Sequence, residues 1–424
     1  MADEIKPFTI NVPDDALEDL RERLRRARLP DELEDVGNDM GAPLKDVKRI
    51  ATYWAEKYDW RKAEAELNKL PHFTTTLQAT GFEPLNVHFV HVRSSRDDAV
   101  PLLFAHGWPG SFLEATKILK PLAEPEDASQ PAFHVVVPSL PGYGFSEGSK
   151  KRGFTADQHG EVFHLLMMRL GYEEYATQGG DWGWLITRAM GRRYAPKHIK
   201  AQHLNLDHFP QPTLIKSPLV FIRTLVSAFI TGFSEREKKG FARSKWFKDE
   251  GQGYFGVQST KPQTLGYGLA DSPIAVLAWI YEKLVDWTDN YPWTEEEVCT
   301  WISIYWFSTA GPRLSLQLYY EIAHAKKDPK ILKEKEAKGI WVSDAEDLTV
   351  WQDVKVGLGH FPGDILSLPG WWGYGLGNII YEKNHERGGH FAAWEHPDGL
   401  VGDLRAMFGP NGGAKGSVKT KTSS

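Results

Sequence analysis

The sequence has one cysteine, Cys299, in 424 residues. No internal disulfide can form and no thiol cluster is available to bind zinc, which suits a reducing compartment and predicts a cytoplasmic protein. Positive charge is not in excess: Lys+Arg 50 against Asp+Glu 56 leaves a formal net charge of -6. That balance argues against nucleic acid as a partner and against an anionic membrane surface. Also missing is any stretch of the roughly 18 uninterrupted apolar residues that a membrane span needs. The most lipophilic segment, LIKSPLVFIRTLVSAFITGF (214–233), is broken by Lys216, Pro218 and Arg223, so it reads as half-buried or cavity-covering. The start, MADEIKPFTINVPDDALEDL, lacks the basic start and apolar core of a signal peptide. There are no internal repeats.

What the sequence does have is a succession of textures. VPDDALEDLRERLRRARLP offers Asp14 or Asp15 as a helix cap and sets Leu17, Leu20, Leu24 and Ala27 at helical spacing before Pro30. Val47, Ile50, Trp54 and Tyr58 likewise recur every three or four residues. Together these predict a helical N-terminal extension over residues 1–80. Short apolar runs follow, NVHFVHVR (86–93), VPLLFAHG (100–107) and FHVVVPS (133–139), with helical stretches at 156–172 and 184–194. Strand alternating with helix predicts a mostly parallel sheet covered on both faces, begun by residues 81–208. Residues 209–340, rich in Phe, Trp and Tyr and mostly helical, read as an inserted cap. VKVGLG (354–359), NIIYEKN (378–384) and the helical GLVGDLRAMF resume the sheet layer over 341–410. The tail, 411–424, is expected to be disordered.

The chemistry centres on Gly179-Gly180-Asp181-Trp182-Gly183. This has the spacing of the Gly-x-Ser-x-Gly nucleophile elbow, with aspartate in the place of serine. The elbow is a tight strand-to-helix turn in which flanking side chains would meet neighbouring backbone, hence the glycines. Alone, Gly-Gly-Asp also fits a turn whose Asp caps the next helix. Three further features favour the elbow. His106-Gly107-Trp108-Pro109-Gly110-Ser111 follows the apolar run LLFA, where a loop could aim an N–H at a developing oxyanion. The donors would be the backbone N–H groups of Trp108 and Trp182, with His106 holding the loop. His390, after two glycines and before the final helix, is the candidate base; His360, His385 and His396 are poorer placed. Asp364, just after the strand VKVGLG, is the candidate acid, with Asp353 and Asp344 as rivals. Nucleophile, acid, histidine is the chain order of α/β-hydrolase triads.

Serine must lose a proton to attack, whereas an aspartate with an ordinary pKa of about 3.9 is already ionised at neutral pH. A carboxylate attacking an sp3 carbon forms an alkyl ester, and His390, oriented by Asp364, can then take a proton from the water that hydrolyses it. The leaving group distinguishes two chemistries. Halide would call for tryptophan N–H donors. An epoxide oxygen would call for a proton donor, and tyrosine, with an ordinary pKa near 10, fits. The cap offers Tyr254 and the pair Tyr319-Tyr320; a cap tyrosine also serves as packing.

The stretches HGWPGS, GGDWG, GYFGVQSTKPQTLGYGLADSP, YYE, FPGD and RGGHFAAWEHP give the chain a resemblance, from about residue 5 to 408, to the α/β-hydrolase epoxide hydrolases of the microsomal type. The resemblance implies the α/β-hydrolase fold with a mostly parallel central sheet, an inserted helical cap and an N-terminal helical extension. It also implies Asp181 as nucleophile, Asp364 as acid, His390 as base, and Tyr254 with Tyr319 on the epoxide oxygen. Tyr319 is preferred because it stands two residues before Glu321; Tyr320 stays open. Gln317 occupies a place where the family often has arginine. Animal members carry a membrane anchor ahead of the extension, whereas this chain resembles the soluble bacterial and fungal members. The expected reactants are a small hydrophobic epoxide and water, with no cofactor, no metal and no nucleic acid; a homodimer is compatible with the sequence. Two other readings are a haloalkane dehalogenase-like hydrolase, with the Trp182 indole on the halide, and a non-catalytic binding protein of the same fold. Trp279, Trp287, Trp301 and Trp306 fit either core or pocket lining.

Overall fold

The computed structural model describes residues 4–327 and 329–419. Nine strands form one sheet in the order β1-β2-β3-β5-β4-β6-β7-β8-β9. They are β1 (Lys6–Pro7), β2 (His72–Leu77), β3 (Leu85–Val92), β4 (Val100–Ala105), β5 (Phe133–Pro138), β6 (Tyr175–Gly179), β7 (Ile199–Leu204), β8 (Lys355–His360) and β9 (Asn378–Asn384). The first three run antiparallel to their neighbours, and β5, β4, β6, β7, β8 and β9 are mutually parallel. From β4 the chain moves one way along the sheet to β5, then back past β4 to β6 and on to β7. Right-handed crossovers therefore place helix Thr116–Ala123 on one face and helices Ala156–Arg169 and Asp181–Tyr194 on the other. The reversal of strand order at β4 opens a crevice at the carboxyl ends of β4 and β6, the usual place for a ligand in such sheets.

Four strands lie outside the apolar runs picked out in the sequence. Two, β1 and β2, belong to the N-terminal extension, which is thus not helical throughout: its helices Asp14–Arg26, Leu44–Glu56 and Trp60–Leu67 end in a strand of the main sheet. The other two, β6 and β7, are central yet polar. Gln178 Nε2 donates to Asn205 Oδ1 at 2.6 Å and Gln202 Nε2 to the Thr187 carbonyl at 2.5 Å, so the buried amide N–H groups find acceptors without apolar side chains.

Between β7 and β8 the chain forms helices from Pro218–Val226 to Pro329–Ala337 above the sheet. Residues 214–233 are not half-buried as expected. Helix Pro218–Val226 buries none of its residues, and Ile215, Leu219, Phe229 and Ile230 are largely exposed. No single helix among the described residues is long and apolar enough to cross a membrane. Residues 411–419, expected in a disordered tail, turn back onto the sheet instead. Ala414 and Val418 are buried, and Lys355 Nζ donates to the Gly413 carbonyl and to Ser417 Oγ, both at 2.8 Å. Two small apolar residues suffice there because a lysine on β8 supplies the polar anchor. Residues 420–424 lie outside the described residues.

Candidate active site

Asp181 stands between the end of β6 and the first turn of helix Asp181–Tyr194, with φ 48. A non-glycine residue in the left-handed region is uncommon and costs backbone strain. Its neighbours show why the turn needs glycine. A Cβ on Gly183 would lie 1.9 Å from the Ala105 carbonyl oxygen, one on Gly180 2.7 Å from Asn205 Oδ1, and one on Gly179 2.4 Å from the Gly183 carbonyl oxygen. The elbow is therefore pressed against the end of β4 and the loop after β7.

Strand register brings the partners in. Ala105 pairs with Gly179, which sets the loop after β4 beside the elbow, and the Trp108 N–H donates to Asp181 Oδ1 at 2.8 Å. The Trp182 N–H lies in the first helical turn, where backbone donors have no intrahelical acceptor. His106 holds the loop: Nδ1 meets the Gly107 carbonyl at 3.0 Å, and Nε2 receives the Leu140 N–H at 3.2 Å. Burial lowers its imidazole to about 4, which suits a neutral structural residue.

On the other side, Gly363 bridges Gly389, so the loops after β8 and β9 run side by side. They carry Asp364 and His390. His390 Nδ1 lies 2.7 Å from Asp364 Oδ1, and His390 Nε2 lies 3.3 Å from Asp181 Oδ2. The rival acids are elsewhere: Asp353 is exposed, and Asp344 pairs with Lys326. His360 is committed to Asp207 and His385 to Asp403.

Burial alone would lower the His390 imidazole, but the charge of Asp364 and the hydrogen bonds to Asp181 and Asp364 raise it to about 10. Burial also pushes the Asp364 carboxyl up, against the pull of the imidazole. With a carboxyl group on either side of one ring, the proton is held on His390.

The cap supplies two phenols. Tyr254, on helix Gly253–Thr260, stacks on Trp108 with ring centroids 5.2 Å apart. Tyr319, on helix Gln317–His324, stands edge-on to Trp182 at 4.5 Å and to Tyr254 at 5.8 Å. Its helix is anchored by Glu321, which accepts the Gly153 N–H at 2.6 Å. The Tyr319 hydroxyl has no well-formed hydrogen bond among the described residues; its polar neighbours are the Tyr254 phenol and the Trp182 indole. Burial, reinforced by the charge of Asp181, holds both phenols well above their ordinary pKa and therefore protonated. Tyr320 faces elsewhere, stacked on His324.

Asp181, Trp182, Tyr254 and Tyr319 line one cavity of about 460 Å³, whose walls include Leu185, Phe247, Phe255 and Ile365. Of the four cap tryptophans singled out in the sequence, none lines it. Trp301 is buried and donates to the Pro109 carbonyl at 2.6 Å, and Trp287 packs edge-on against His390 while its carbonyl receives the His390 N–H at 2.8 Å. Sequence reasoning missed Phe247 and Phe255, and also the buried Glu114 near the elbow. The latter lies three residues beyond the HGWPGS motif, too far along for the motif itself to flag it.

Residues 5–115 match the family described as Epoxide hydrolase N terminus, and residues 100–238 match the alpha/beta hydrolase fold. The chain is 34% identical to Epoxide hydrolase 1 of Sus scrofa, over 96% of this chain and 89% of that protein. The structure of Aspergillus niger epoxide hydrolase superposes with a TM-score of 0.77 at 34% identity, covering 95% of each chain. Juvenile hormone epoxide hydrolase from the silkworm Bombyx mori superposes with a TM-score of 0.80 at 30% identity, covering 95% of this chain and 93% of that one.

Proposed function

The chain belongs to the epoxide hydrolase family, and from that premise we propose that it opens an epoxide through a covalent ester on Asp181, which water then hydrolyses to a vicinal diol. The observation that carries this reading is the convergence on one cavity of the Asp181 carboxylate and two protonated phenols. A carboxylate oxygen attacks one ring carbon, the C–O bond breaks, and the departing oxygen takes a proton from Tyr254 or Tyr319 while the other phenol holds it.

Esterification removes the charge of Asp181 and with it part of what keeps His390 protonated. The imidazole, still oriented by Asp364, then releases that proton, which balances the one the phenol gave up, and becomes a base when one is required. It takes a proton from water, whose oxygen attacks Cγ of the ester. The oxyanion forms at the Trp108 and Trp182 N–H groups, each donor worth about 2.7–4 kcal/mol in comparable sites. Collapse expels the diol oxygen, which is protonated by His390, and the remaining carboxyl proton passes to His390, restoring the resting pair of Asp181 carboxylate and protonated imidazole.

The apolar walls favour a hydrophobic epoxide of the size that cavities of about 300–1,000 Å³ enclose. A panel of aryl, alkyl and terpene oxides scored by diol formation would define it. One observation favours a halide leaving group: among the described residues the Trp182 indole N–H, buried beside the cavity, has no well-formed hydrogen bond. Chloride release from haloalkanes, compared with ring opening, separates the two. The exposed side chains of Leu219, Phe229 and Ile230 support a homodimer, testable by sedimentation. The single Cys299, buried and free, supports a cytoplasmic setting.

The decisive variant is His390→Gln. It should stall after the first step, leaving the protein heavier by one substrate mass. Absence of an adduct with every epoxide the parent enzyme turns over would defeat the covalent reading.

A further inference from the structure

Asp181 separates two spaces of opposite character. On one side is the apolar cavity of about 460 Å³; on the other is a chamber of about 10 Å³, room for about one water. Among the described residues Asp181 is the one lining residue they share. Besides Asp181 and His390, the chamber's lining includes the polar side chains of Glu114, Gln178 and Asn205 among apolar neighbours such as Phe104, Phe391 and Leu400, a polar group unusual so deep in a core. Gln178 spends its amide N–H on Asn205, which leaves its Oε1 buried with no partner among the described residues. Glu114 is buried as well, its carboxyl pressed onto Gly110 so closely that a Cβ there would fall 1.4 Å from Oε1. Burial raises this carboxyl to about 8. Neither acceptor serves ring opening, since neither lines the cavity where the epoxide would lie.

We propose that this chamber seats the hydrolytic water and that Glu114, seconded by Gln178, is the positioning residue that orients it for attack on the Asp181 ester. The proposal rests on the covalent mechanism above. One O–H of the water points at His390 Nε2, to which the proton passes as the water oxygen bonds to Cγ. The second O–H is held by the Glu114 carbonyl oxygen, available whether or not the acid is ionised, with Gln178 Oε1 as the alternative acceptor. Epoxide and water thus approach the same carboxyl group from separate compartments, and water need not enter the apolar cavity.

The test is Glu114→Met, which removes the acceptor at similar volume, with Glu114→Gln, which keeps a carbonyl oxygen, as the conservative variant. Rapid-quench mass spectrometry follows formation and decay of the alkylated protein. In Glu114→Met the ester should form at the parental rate and decay about 10- to 100-fold more slowly, the scale of misplacing a reactant. Consequently kcat and KM should fall together with kcat/KM preserved, and Glu114→Gln should recover decay to within about 3-fold of the parent. Unchanged ester decay in Glu114→Met, or a kcat/KM that falls with kcat, overturns the proposal. If His390→Gln captures ester while Glu114→Met decays normally, only this inference fails; if His390→Gln captures none, the covalent mechanism fails with it.

Discussion

Burial acts in opposite directions on the two kinds of proton carrier at this site. It drives the phenols of Tyr254 and Tyr319 up, out of reach of ionisation, and would drive the His390 imidazole down were it not flanked by carboxylates. Two expectations follow at this scale. Replacing either tyrosine by phenylalanine should slow ester formation by about 100-fold, and replacing both should nearly abolish it, since a positioned proton donor contributes about 10²–10⁴. Single-turnover alkylation rates measure this; an undiminished double variant would remove the phenols from the mechanism. The second expectation concerns stability. His390 binds its proton more tightly in the folded state, at about 10, than in the unfolded chain, at about 6.5. Its contribution is therefore complete below pH 6.5 and is lost as pH rises through 10. The stability difference between the parent and His390→Gln, from urea unfolding, should shrink across that interval; a difference independent of pH would mean a neutral imidazole. Among residues, Asp181, Asp364 and His390 were legible because each follows a strand in a recognisable loop. Tyr319 was separable from Tyr320 only by which face of its helix meets the elbow. Glu114 and Gln178 carry no local signal, because their role arises from loops and strands distant in sequence.

Elements show the same division. Apolar runs disclosed β3, β4 and β5, but the strand that leads into Asp181, YATQG, lacks an apolar run and is placed by pairing with β4 and β7. Such a strand is visible only once its neighbours are known. The elbow it leads into is the most constrained element of the site. Gly183→Ala would drive a methyl group into the Ala105 carbonyl, and it should destabilise the fold by at least the roughly 1–3 kcal/mol typical of overpacking. Because relief would have to move Asp181 off the Trp108 N–H, activity should fall further than stability does. Denaturation and turnover measured together check this; parental values of both would mean that the turn is looser than its contacts imply.

Over the whole molecule, the N-terminal extension ties cap to core. Its strands β1 and β2 extend the sheet, while its helix Leu44–Glu56 reaches the cap, where Trp54 Nε1 donates to Ser303 Oγ at 3.1 Å and Tyr53 donates to Glu296 at 2.7 Å. The periodicity of Val47, Ile50 and Trp54 disclosed a buried face, but not that the face belongs to the cap. Trp54→Ala should cost about 3–5 kcal/mol as a core truncation. It should also raise hydrogen exchange in helix Glu295–Trp306 before it does so in the central strands, and uniform exchange would contradict a clasp on the cap.

The central claim is that the oxygen added to the substrate comes from Asp181 and is replaced afterwards from water. A single turnover in oxygen-18 water, with enzyme in excess, tests it most directly. The diol should be unlabelled and the Asp181 peptide should carry one heavy oxygen; a labelled diol with an unlabelled peptide would mean that water attacks the epoxide itself.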